Sequence, residues 1–116
     1  MSNLNKGQIK VFLDQKEYTA RLTLDSIVAI EESTGMGIIK LCTEMANSNV
    51  SLSSILTVLH KGLRGGGNDV SEKDVKDIVE DIGIIESTRA VAQMLTDTLT
   101  RTNSDEDDKK KTRINR

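Results

Sequence analysis

Apolar and polar residues alternate along 8–13, with Ile9, Val11 and Leu13 on one side and Lys10, Phe12 and Asp14 on the other. The alternation resumes over 18–24, where Tyr18, Ala20, Leu22 and Leu24 oppose Thr19, Arg21 and Thr23. Period-2 patterning on both sides of the polar Asp14-Gln15-Lys16-Glu17 predicts a β-hairpin over 8–23 whose turn type is open. Beyond it the period becomes helical. Ile27, Val28 and Ile30 follow Thr23 or Asp25 as N-cap, and Gly35 is a stop, giving a helix over 24–34. Ile38, Leu41, Cys42 and Met45 predict a second over 36–47. Ser51 caps a third, 51–64, with Leu52, Ile55, Leu56, Leu59 and Leu63 as its stripe. Ser71 with Asp74 three residues on has the form of a capping box and opens a fourth, 71–82, carrying Val75, Ile78, Val79 and Ile82. Ile84, Ile85, Thr88, Val91, Ala92, Leu95 and Leu99 belong to a fifth, 84–101. The fold class expected is α+β, mostly α: one hairpin and about five short helices in a single domain, 1–101.

Periodicity then stops. Nine of the last twelve residues are charged and only Ile114 among them is apolar, so 102–116 is expected to be a disordered charged tail. The chain of 116 residues suffices for one modest core, which must be aliphatic because Phe12 and Tyr18 are its only aromatics. So few aromatics argue against base stacking, and a net charge of −2 argues against general attraction to nucleic acid or anionic membrane. No apolar run is long enough to span a bilayer and none forms the core of a signal peptide, so a cytosolic protein is expected.

The glycines Gly65, Gly66 and Gly67 invite comparison with a phosphate-binding loop. A helix precedes them where a strand is required, no Lys-Ser/Thr follows, and Asp69 would repel an anion. They are expected instead to end a helix, with Gly65 or Gly66 left-handed, and to act as a hinge. His60 has Leu56 and Arg64 as its helical neighbours, and one His and one Cys cannot make a metal site. Cys42 lies on an apolar stripe without a base and reads as a structural thiol. Glu31, Glu32, Asp77, Glu80 and Asp81 alternate with apolar stripes as helix-surface charge. No catalytic constellation emerges, so no enzyme activity, cofactor or metal is expected.

Several segments, in order, carry a resemblance: Tyr18 to Leu24, the Ile30-Glu31-Glu32 helix ending at Gly35, Ser51 to Leu59 leading into Gly62-Leu63-Arg64-Gly65-Gly66-Gly67, Val70-Ser71, and the closing Ala90 to Leu99. Over roughly 8–100 the chain resembles the small tail assembly proteins of long-tailed phages, in particular the gene transfer agent and prophage family labelled tail tube or tail assembly chaperone. Gln15 stands where that family usually has Gly, and the charged extension after Arg101 is not part of its common pattern. The resemblance implies a non-enzymatic chaperone in the cytoplasm of the bacterial host, binding the tape measure and tail tube proteins, with a homo-oligomer as a further expectation. Two alternatives stand beside it: a structural component retained in the tail, and a small regulatory nucleic-acid-binding protein. Ile9, Val11, Leu13 and Leu63, with Arg64, are the expected oligomer or client surface.

Overall fold

The computed structural model describes the backbone of residues 8–114 and the side chains of residues 8–100. Two strands, β1 (Ile9–Leu13) and β2 (Lys16–Ala20), precede five helices: α1 (Leu24–Thr34), α2 (Ile38–Ala46), α3 (Leu52–Gly65), α4 (Glu72–Ile82) and α5 (Ile84–Ile114). This is the expected class, a hairpin followed by five helices.

The strands pair antiparallel, with Val11 opposite Tyr18 and Leu13 opposite Lys16. Only Asp14 and Gln15 form the turn, with φ of 55° and 64°. Two consecutive left-handed residues are the arrangement whose twist suits a two-residue hairpin. Neither is β-branched, so the conformation is tolerable without glycine. Lys16 and Glu17, expected in the turn, extend β2 instead. At the other end β2 stops at Ala20, and Leu24 opens α1 with its side chain exposed.

The helix boundaries have local causes. The Thr23 hydroxyl accepts the Ser26 N–H at 3.0 Å to start α1, and Gly35, at φ 74°, donates to Glu31 O to end it. The cap of α2 is Gly37, which has no side chain to offer, and Glu31 Oε2 on α1 accepts the Ile38 N–H at 2.8 Å in its stead. Ser51 caps α3 through Ser54 N–H. Ser71 and Asp74 form the reciprocal box at α4, with Asp74 N–H to Ser71 Oγ at 3.0 Å and Ser71 N–H to Asp74 Oδ2 at 2.9 Å. The fifth helix is not short. Its backbone continues to Ile114, past the boundary expected at 101, and no Gly or Pro after Gly83 interrupts it. The tail expected over 102–116 falls on residues whose side chains lie outside the described ones.

Helix α3 is the centre of the packing, touching α1, α4, α5 and β2. Its buried face is Ile55, Val58, Leu59, Gly62 and Leu63, which is the i, i+3, i+4, i+7, i+8 stripe. Leu52, expected on that stripe, is turned outward. Val11, Leu13 and Ala20 from the hairpin, Ile30, Leu41, Val75 and Val91 complete an aliphatic core. Each Val, Leu or Ile among them contributes about 1.5–3 kcal/mol on burial, and Ala20 less. Helix α5 buries two hydroxyls as well. Ser87 Oγ donates to Gly83 O and Thr98 Oγ1 to Met94 O, both at 2.8 Å, so neither polar group enters the core unpaired. Ile84 and Ile85, expected on the apolar stripe, are exposed instead.

Candidate functional site

The glycine run sits where α3 meets the hairpin. Leu63 O accepts the Asn68 N–H and Arg64 O accepts the Gly67 N–H, both at 3.0 Å. These are the two bonds of a Schellman helix end, and its left-handed residue is Gly67, at φ 97°. Gly65 and Gly66 were the expected left-handed residues, and both have right-handed backbones. Their lack of a side chain serves another purpose. A Cβ on Gly65 would strike Arg21 O, and one on Gly66 would strike Thr19 O, in each case rigid backbone. One turn earlier, a Cβ on Gly62 would lie 2.5 Å from Met94 Sδ.

Gly65 and Gly66 thus form a bare patch on which the chain at the end of β2 rests, while Gly62, one turn earlier, makes room for Met94 of α5. The seam is bonded as well as close. Arg21 N–H donates to Gly62 O at 2.9 Å, and Asn68 Nδ2 donates to Thr19 O at 2.6 Å and to Leu63 O at 2.8 Å. A segment tied this way is a seat for the strand.

The expected surface residues separate. Val11, Leu13 and Leu63 are at most 1% exposed, because β1 turns its inner face onto the helices and Leu63 faces the centre of α3's packing. They offer no accessible surface in the folded chain. Ile9 is half-buried at the margin of the core. Arg64 alone is well exposed, with Asp69 4.0 Å away.

A groove that sequence reasoning missed runs over α3. Its floor is Leu52, Leu56 and Thr57, its walls are Ala29 and Glu32 of α1 and Glu72 and Lys76 of α4, and its volume is about 740 Å³. Past His60 and Lys61 it continues into a shallower depression between Asp25 and Arg64. From Leu52 to Gly65 this spans roughly 20 Å at 1.5 Å per residue. His60 Nε2 lies 3.1 Å from Val70 O, so this nitrogen carries the proton and the ring ties α3 to the loop before α4. No local sequence signal marks the groove, because its floor comes from α3 and its walls from α1 and α4.

Little in the described residues suggests bond-making chemistry. Burial pushes the Cys42 thiol up from its ordinary value, which keeps it protonated and poorly nucleophilic. Among the described residues no cluster of His, Cys, Asp and Glu could hold a metal ion, and no helix is long and apolar enough to cross a membrane.

Fold and surface together define a small helical domain with a seated hairpin, whose concave feature is a groove with an apolar floor and charges of both signs on its rim. Its sequence goes further: residues 6–101 match the phage tail tube protein family, GTA-gp10, and the chain belongs to that family. Neither a curated protein nor a solved structure matches it.

Proposed function

We propose that the chain is a phage or prophage tail assembly chaperone, which binds the tape measure and tail tube proteins in the host cytoplasm and catalyses no reaction. Membership of a phage tail family over 6–101 is the observation that carries the reading. The groove over α3 supports it. An amphipathic helix of the tape measure protein fits its apolar floor, and Asp25, Glu32 and Glu72 with Lys61, Arg64 and Lys76 give its rims charges for a helix bearing both signs. Leu52, 43% exposed at the floor, is the residue to change.

Co-purification of tagged chain with the tape measure protein and, separately, with the tube protein tests the reading. Capture of the tape measure is expected, as is its loss in Leu52→Glu with the circular dichroism spectrum unchanged. No capture of either protein would sink the proposal. A second reading, a component retained in the tail, is favoured by the family's own description as a tail tube protein. Mass spectrometry of purified particles separates the two, since a chaperone is absent from them and a structural component is present in stoichiometric amount.

A further inference from the structure

Among the described residues the two edges of the two-stranded sheet differ near the end of β2, where Thr19 O accepts from Asn68 Nδ2, while no outward main-chain group of β1 is bonded. In a hairpin closed by a two-residue turn, the residues flanking the turn exchange both main-chain bonds, and every second pair outward does the same. Leu13–Lys16, Val11–Tyr18 and Ile9–Ala20 are therefore the bonded pairs. Lys10 and Phe12 then direct their N–H and C=O groups away from β2, and these four groups have no hydrogen-bond partner in the described structure. Buried main-chain groups are almost always paired, so an unpaired set of this kind faces solvent. An exposed row of that kind is a template for another strand.

We propose that β1 pairs antiparallel with β1 of a second copy of this chain, giving a continuous four-stranded sheet in the order β2-β1-β1-β2. The spacing is self-complementary. With Val11 opposite Val11 of the second copy, Lys10 of each chain faces Phe12 of the other, and the two residues exchange both bonds. The two-fold axis repeats this, so all four outward groups on each strand are satisfied.

The solvent-facing side chains agree with that register. Phe12 is 71% exposed, and the pairing brings the Lys10 ammonium of the other copy alongside its ring. Lys10 also has Glu17 at 3.7 Å, so the two lysines do not meet as bare like charges. A five-residue edge buries far less than a standard interface, and the association is accordingly weak and concentration-dependent.

The test is the solution mass of the full chain by light scattering, from about 1 µM to about 1 mM. A rise from 12.8 kDa toward twice that value is expected across the range. The variant Phe12→Pro removes an outward N–H and no bond to β2, so it should fold with an unchanged spectrum and stay monomeric. Hydrogen exchange on the unmodified chain gives an independent readout. The Lys10 and Phe12 amides should gain protection as concentration rises, and the Glu17 amide on the opposite edge should not. A chain that stays monomeric at the highest concentration overturns the proposal. So does a dimer that survives Phe12→Pro, or one in which the Lys10 and Phe12 amides exchange at the same rate at every concentration.

Discussion

The two edges of one hairpin differ where β2 reaches α3. From Thr19 onward β2 is sealed: its carbonyl is taken by Asn68, its backbone lies against Gly65 and Gly66, and Arg21 N–H is bonded to Gly62 O. Among the described residues, β1 exposes unpaired main-chain groups at Lys10 and Phe12, and the Phe12 side chain is largely exposed. An isolated hairpin is marginal in water. Sealing one edge and one face ties this hairpin to the helices, and the remaining edge stays available at little cost in stability. Stability is thus drawn from the end of β2, and the edge of β1 is left available.

The sharpest way to break the contrast is to unseat β2. Gly66→Ala places a methyl group against the Thr19 carbonyl, and because both sides of the contact are backbone, neither can yield by a change of rotamer. A loss near the upper end of the about 1–3 kcal/mol typical of overpacking is expected, measured by urea denaturation. Gly67→Ala is the control. It has open space but a φ of 97°, so only the cost of a left-handed conformation, about 1 kcal/mol, applies. If the two variants lost equal stability, the seat would have no special status and the run would be an ordinary helix end.

Asn68→Ala asks how much of the seal is hydrogen bonding. It removes both side-chain bonds, to Thr19 O and to Leu63 O, and leaves the glycine contacts intact. About 1–2 kcal/mol should be lost, since water reaches the vacated carbonyls in part. Faster exchange of the Arg21 amide in this variant would show that the seam opens as one unit.

These two variants also mark where the sequence was legible. The hairpin and all five helices were readable, because period-2 and period-3.6 patterns, Ser51, Ser71 and Gly35 are local signals. The glycine run was visible, but its purpose was not: what would clash with a side chain at Gly66 is Thr19, far away in sequence. Only the i, i+3, i+4 spacing of Gly62, Gly65 and Gly66 hinted at a helix face with something lying on it. Val11, Leu13 and Leu63 failed as surface residues for a related reason. An apolar side chain on an amphipathic element faces either its own core or a partner, and the alternation that places three of them together does not decide between the two. The groove was the least legible feature, because Leu52, Ala29 and Glu72 acquire a shared meaning only once α1, α3 and α4 are packed.

The smallest effect concerns the far end of the loop that covers β2, which is fixed by the Ser71–Asp74 capping box. The Ser71 backbone N–H, then the Ser71 hydroxyl, hold the Asp74 carboxyl below the ordinary carboxylate range. With its folded value depressed, the group binds a proton less readily in the folded chain than in the unfolded one. Its contribution is therefore fully present above the ordinary aspartate value of about 3.9 and is lost as pH falls through that value toward the folded one. Acid titration of stability should show this as a shallow extra slope below about pH 4, absent from Asp74→Asn. Because the carboxylate is fully exposed, salt and water screen the effect and the slope should be slight. The comparison between edges supplies the more useful readout. In the acid range where the box opens, the Arg21 amide should keep its protection if Gly62, Gly65, Gly66 and Asn68 hold β2 by themselves. Loss of that protection together with the box would mean that the seal on β2 extends to the start of α4.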